Sequence, residues 1–182
     1  MSRPTHLLRH EHRVIEQAMR ALEGICVRMR AGGAVPGDEL NKLIDFIEGF
    51  ADGLHHEKEE RLLFPALHQA GIPRESGSLV FLCGEHEAER RLLGELHLAM
   101  QQKSRDSASS ERFIAAALQC RDHLIGHMQQ EDATLYHLVE EMLDDQAKDA
   151  LTRALAAENA KTQLLIQYYE QAAEELEKAW AV

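Results

Sequence analysis

The residues with the clearest chemistry are a histidine and a glutamate four apart, and the chain carries that pair twice, as His55 with Glu59 and His127 with Glu131. Laid over one another without a gap, the two stretches also match Glu60 to Asp132, Leu63 to Leu135 and Phe64 to Tyr136. Residues four apart on an α-helix lie one above the other on one face. Each pair therefore presents an imidazole and a carboxylate as a two-toothed grip for a metal ion. Two grips in one chain of 182 residues point to one shared site.

Hydrophobic periodicity selects the remaining members. Ile44, Ile47, Ala51, His55, Glu59, Leu62 and Ala66 step by three or four and are apolar apart from the grip. Phe113, Ala117, Cys120, Leu124, His127, Glu131, Leu135, Leu138 and Met142 make the equivalent stripe around the second grip. Two further stripes carry one histidine each: Leu8, His12, Ile15, Met19, Leu22, Cys26 and Met29, and Leu79, Leu82, His86, Glu89, Leu93, Leu96 and Met100, where Glu89 interrupts the pattern. Glu11 and His12 have a counterpart in Glu85 and His86, so the chain reads as two copies of one helical hairpin.

His12, His55, Glu59, His86, His127 and Glu131 thus enter four otherwise apolar faces. Interior carboxylates without a partner are costly, and a pair of metal ions supplies that partner. Imidazoles and carboxylates together suit borderline divalent metals such as iron, manganese or zinc. His56 and Glu60 fall on a neighbouring polar stripe with Asp45, Gly49 and Asp52. They are expected to face outward or to stand behind the ligands, and replacing His56 is expected to leave metal content nearly intact. His123, one turn before His127, is a further candidate for support behind the ligands. His6, His10, His68, His97 and His137 have no such pattern around them.

The elements that must position these residues are helices. Leu, Ala, Glu, Gln and Arg dominate, while β-branched and aromatic residues are scarce. Helix punctuation predicts helices over about 4–30, 38–70, 76–103, 110–142 and 145–179. Ser2 and Pro4 open the first, Asp38 caps the second, Gly71 to Pro73 stop it, and a polar connector over 104–110 ends in Ser110 as the fourth helix's cap. Short connections between long helices force antiparallel neighbours. The expected fold is all-α, an up-down-up-down four-helix bundle over 1–143 with an additional amphipathic C-terminal helix over 144–182. That last helix carries Leu151, Leu155, Thr162, Leu165, Tyr169, Ala172 and Leu176 on one stripe, to pack on the bundle or in a homodimer interface.

A net charge of -11 argues against a nucleic-acid or anionic-membrane surface, each of which needs clustered Lys and Arg. Cys26, Cys83 and Cys120 sit in apolar, helix-like surroundings without paired spacing, as expected of reduced core thiols in a cytoplasmic protein. No window approaches the apolar run of about 18 residues that spans a bilayer, and the start of the chain lacks a signal-peptide core.

The order His12, His55 with Glu59, His86, His127 with Glu131 resembles the haemerythrin-like, or HHE cation-binding, family, down to the Glu59 to Pro65 run after the first grip. The resemblance covers about residues 4–143. It implies a four-helix bundle holding two non-haem irons, with Glu59 and Glu131 bridging them and an oxide or hydroxide completing the bridge. Oxygen-carrying haemerythrins place a further histidine ligand four residues after the position of His86; here Arg90 stands there. Each iron would then have four protein ligands and an open position, which weakens the case for reversible oxygen carriage.

The expected function is a di-iron protein that binds or reacts with oxygen, peroxide or nitric oxide in sensing or stress protection. The alternative is an iron-responsive regulatory module whose helices order on metal binding. A ferritin-like iron store wants Glu-x-x-His pairs and more carboxylate, and a structural zinc needs fewer ligands than these. No motif assigns a catalytic residue.

Overall fold

The computed structural model describes residues 3–75, 77–102 and 107–182. Among these residues there is no strand, and no helix is long and apolar enough to cross a membrane. Helix α1 spans Thr5–Arg30 and buries the whole stripe from Leu8 through His12 to Met29. It stops where Gly32 takes φ 77°, a conformation that costs glycine little.

The second helical segment is not uniform. It runs as α2 over Gly37–Phe46, π1 over Ile47–His56, π2 over Glu59–Leu63 and α3 over Phe64–Gln69. Gly71, at φ 102°, and Pro73 end it as predicted. Then come α4 (Gly77–Gln101) and α5 (Ser107–Gln130), the latter continuing through π3 (Glu131–Leu135) into α6 (Tyr136–Met142). Asp38 and Ser110 are not caps, because α2 and α5 begin ahead of them. The expected boundaries at Ser2, Ser76 and Lys103, and connector residues 104–106, lie outside the described residues.

The π turns correct the predicted faces. In the second segment one buried row is Ile47, Ala51, His55, Glu59, Leu63 and Leu67, a repeat of four throughout. A repeat of four drifts by about 40° per step around an α-helix of 3.6 residues per turn. The wider π turn, with its i→i+5 bonds, absorbs that drift. Leu62 and Ala66, expected inside, are only half-buried, while Leu63 and Leu67 take the interior. After π3, likewise, Tyr136 and Val139 are buried and Met142 is exposed.

Predicted as one piece, the last helix is broken into α7 (Asp145–Lys161) and α8 (Gln163–Trp180). At the break, the Thr162 hydroxyl donates to the Glu158 carbonyl, a bond back to the preceding turn that bends helices. Leu165 is exposed in consequence, while Leu151, Leu155, Tyr169, Ala172 and Leu176 are buried as expected. Helix α8 lies along α1 and α2, and α7 lies against π2. The approach of the α8 terminus is close: a Cβ on Gly24 would stand 1.7 Å from the Trp180 carbonyl oxygen. Lys42 to Glu175 and Trp180 Nε1 to Glu39 fasten α8 to α2.

Helix α1 packs on α5 and π1, and α4 packs on α5 and π1. Their apolar residues form two separate cores. One gathers Ile15, Leu22, Ile47, Phe50, Phe113 and Leu124; the other gathers Leu8, Leu63, Leu67, Leu82, Leu135 and Val139. The histidines and glutamates lie between them along each helix, as a polar layer with an apolar floor and ceiling. Cys26 and Cys120 are buried in the first core, whereas Cys83 is exposed, contrary to expectation.

Candidate metal centre

All six predicted ligands converge in the polar layer, each with 2 % exposure or less. They form two half-sites. His12 Nε2 and His55 Nε2 are 3.0 Å apart, and His86 Nε2 and His127 Nε2 are 3.1 Å apart. The two carboxylates stand between. Glu131 reaches 3.2 Å from His127 Nε2 and 3.3 Å from His12 Nε2, and Glu59 Oε2 lies 3.5 Å from His86 Nε2 and 3.9 Å from His55 Nε2. His12, His55, Glu59 and Glu131 each bring one donor atom within 4.8 Å of the others, and so do Glu59, His86, His127 and Glu131. The arrangement can hold two adjoining cations that share both carboxylates.

The donor set fits such a pair. Glu59 Oε2 and both oxygens of Glu131 are buried without a hydrogen-bond partner, a state normally avoided for carboxylates. The electrostatics point the same way. Burial pushes the Glu131 carboxyl up, but the imidazoles of His12, His127 and His86 hold it well below its ordinary value. Burial pulls the His12 and His86 imidazoles down, yet the carboxylates beside them raise these to about 9 and about 11. The metal-free cluster thus draws protons onto imidazoles to supply the positive charge that cations would bring.

A surrounding layer fixes the rings. The acid after each shared glutamate holds the lone histidine of the opposite hairpin: Glu60 accepts from His86 Nδ1 at 2.8 Å, and Asp132 lies 3.4 Å from His12 Nδ1. An arginine steadies each acid, Arg90 on Glu60 and Arg9 on Asp132. Arg90 also bonds Asp52, so the residue at the missing-histidine position is a surface clamp. His55 Nδ1 lies 3.0 Å from Glu11, which is ion-paired with buried Lys58. Lys58 in turn donates to Asn159 of α7 at 2.9 Å. Such outer bonds set which ring nitrogen faces the metal.

Tyr136 breaks the symmetry. Its hydroxyl donates to Glu59 Oε1 at 2.8 Å and stands 3.0 Å from His12 Nε2, whereas its repeat counterpart Phe64 stacks on His86. The substitution of tyrosine for phenylalanine inside the repeat was the sequence signal for this role. Glu11 stands out in the sequence only through its pairing with Glu85, and no periodic pattern places Lys58 in the interior.

His56 is fully buried, not outward-facing, because π1 brings both His55 and His56 inside. Burial pushes its imidazole well below the ordinary value, while neighbouring Glu89 is driven up to about 8 by the same cause. Glu60 stands behind His86, a predicted ligand, as one of the two expectations had it. His123 bonds the Glu85 carbonyl oxygen and lies parallel to His127 with ring centres 6.4 Å apart. His10, His68 and His97 make surface contacts only.

Neither the curated proteins nor the solved structures give a match to this chain. The haemerythrin HHE cation binding domain matches residues 3–139, from ahead of His12 to beyond Glu131. With that match spanning most of its length, and the histidine and glutamate clusters inside it, the chain belongs to the haemerythrin HHE cation-binding family.

Proposed function

We propose that the protein is a non-haem di-iron protein that binds or reacts with oxygen, peroxide or nitric oxide, in sensing or stress protection. The observation that carries this reading is the pair of half-sites sharing Glu59 and Glu131, with three of their four carboxylate oxygens unpartnered. His12 and His55 would hold one iron and His86 and His127 the other, with an oxide or hydroxide completing the bridge. Bound there, the iron pair would supply one-electron chemistry toward a small diatomic or peroxide ligand. The chain's own part is to hold the imidazoles through Glu11, Glu60 and Asp132 and to keep water out with the two apolar cores. Tyr136 holds a hydroxyl proton beside His12, at the edge of one half-site.

In this reading residues 1–143 form an up-down-up-down four-helix bundle, supported by the packing of α1 on α5 and of α4 on α5. Residues 144–182 are an addition that packs on it, with Leu164, Leu165 and Tyr168 left exposed for a homodimer contact. Net charge -11 supports a role without nucleic acid or membrane, and buried thiols at Cys26 and Cys120 support a cytoplasmic setting.

A second reading is an iron-responsive interaction module. The bonds from His55 through Glu11 and Lys58 to Asn159 favour it, because they link the centre to α7. Elemental analysis of iron-loaded protein, followed by optical spectra with oxygen, peroxide and nitric oxide, tests the first reading. About two irons per chain and a spectral change with at least one ligand support it. Two irons with no response to any of the three, together with metal-dependent protease resistance of α7 and α8, would favour the second. Failure to retain iron sinks both.

A further inference from the structure

We propose that His56 is an additional metal-ligating residue, serving the cation position of His86 and His127, with Glu89 holding its ring from behind. The proposal rests on the two-cation reading above and makes the two halves of the centre chemically unequal.

The pair is built into the core without visible reason of its own. His56 is 0 % exposed and Glu89 is 1 % exposed. Both ring nitrogens of His56 and both carboxylate oxygens of Glu89 are buried without a hydrogen-bond partner. His56 Nε2 and Glu89 Oε2 are 3.5 Å apart, and Asp52 Oδ1 lies 3.7 Å from His56 Nδ1. An apolar pair of the same size would fill this place at lower cost, so the polar groups call for a partner.

The nearest use for one is the metal layer. The His56 ring stacks on His86 with centres 4.0 Å apart and planes 14° apart, and stands edge-on to His127 at 5.2 Å. One nitrogen from each of His56, His86 and His127 lies within 4.8 Å of the other two. Three nitrogens bound to one ion at about 2.1 Å stand ~3–4.2 Å apart, so side-chain shifts on the order of an ångström close the set. With Nε2 on Glu89, the carboxylate it lies nearer, Nδ1 of His56 would turn from Asp52 to the cation, giving the carboxylate-backed imidazole usual at a metal.

The repeat says why only one half gains this ligand. The residue aligned with His56 is Met128, buried and apolar. The His12 and His55 half has Tyr136 beside it instead. One cation would thus have five protein donors and the other four. This reverses the expectation, drawn from the polar stripe, that His56 is dispensable for metal.

The test uses the full chain loaded with iron, comparing wild type, H56Q and E89Q for metal content and for the time course of release to a chelator. Wild type should release two cations in two phases. H56Q should speed the slower phase by about 10-fold or more and leave the faster one unchanged, with E89Q acting in the same direction but less. Two cations released identically from wild type and H56Q would overturn the proposal, leaving His56 and Glu89 as a core pair. Fewer than two cations on wild type would instead overturn the underlying reading. Should H56Q not fold, a diffraction map of the loaded wild type decides. A His56 nitrogen at about 2.1 Å from an ion supports the proposal; His56 bonded to Glu89 with no ion beside it overturns it.

Discussion

The Glu60 carboxylate accepts a hydrogen bond from Nδ1 of His86 at 2.8 Å, turning Nε2 of that ring toward the centre from a helix of the other hairpin. Asp132 stands in the same place beside His12, 3.4 Å from its Nδ1 and short of a hydrogen bond. Glu60→Gln and Asp132→Asn should each weaken metal binding, by about 10–100-fold at most. The closer contact makes Glu60→Gln the more damaging. Competition against a chelator of known affinity measures both, and a larger loss in Asp132→Asn would contradict the ranking.

Unpartnered carboxylates in the metal-free centre make metal a folding ligand. At a free metal concentration 100 times the dissociation constant, stabilisation is about 2.7 kcal/mol for each cation bound. For a chain of this size that raises the melting temperature by about 5–10 °C for one cation, and by about twice that for two. Thermal melts with metal and with excess chelator should differ by this much, and coincident melts would show that the protein gains no stability from the ion.

Lys58 and Glu11 form an ion pair with both side chains 3 % exposed. Lys58→Ala strands the Glu11 carboxylate in the core and should cost about 3–5 kcal/mol in urea denaturation. Lys42→Ala is the control. Its pair with Glu175 lies at the surface, with side chains 31 % and 50 % exposed, so its loss should cost about 0–1 kcal/mol. Equal effects from the two variants would mean that the buried pair is not an isolated charge in a dry core.

Burial raises the Glu89 carboxyl to about 8 in the metal-free protein. Its folded value lies above the unfolded one, so between about pH 4.3 and 8 the folded state binds the extra proton. Stability is therefore present at low pH and lost as pH rises through that window, by at most about 1.4 kcal/mol per pH unit. Glu89→Gln should flatten this decline. Urea titrations of metal-free wild type and variant at pH 5 and pH 7 measure it, and parallel losses in both would assign the slope to other groups.

The buried cluster was legible because its residues recur: His55 with Glu59 and His127 with Glu131 are the same pattern twice, and both pairs lie in the same layer. The α1 stripe holds to its last residue, since α1 is α-helical throughout. The second segment was misread past Glu59, and the fourth past Leu135, because a 3.6-residue period does not hold across π turns. The same error put His56 on a polar stripe, facing outward or standing behind the ligands. Thr162 was counted into an apolar stripe, although its hydroxyl could bond back to Glu158 and break the helix. Contacts between helices far apart in sequence, such as Lys58 with Asn159, leave no periodic trace and needed the fold.

The π turns also set how freely the chain can change length. Removing one residue from the stretch Ile47–His56 would let it close as ordinary α-helix. Ile47 and Glu59 would then stand eleven α-helical steps apart, about 1100° and so within ~20° of whole turns, and Glu59 would keep its face. The same loss in the exposed turn between Gly32 and Pro36 would also leave the layer in place. Lineages of this chain should therefore vary in length by one residue at that turn and between Ile47 and His55, and hold the four-residue spacing of His55 and Glu59 fixed.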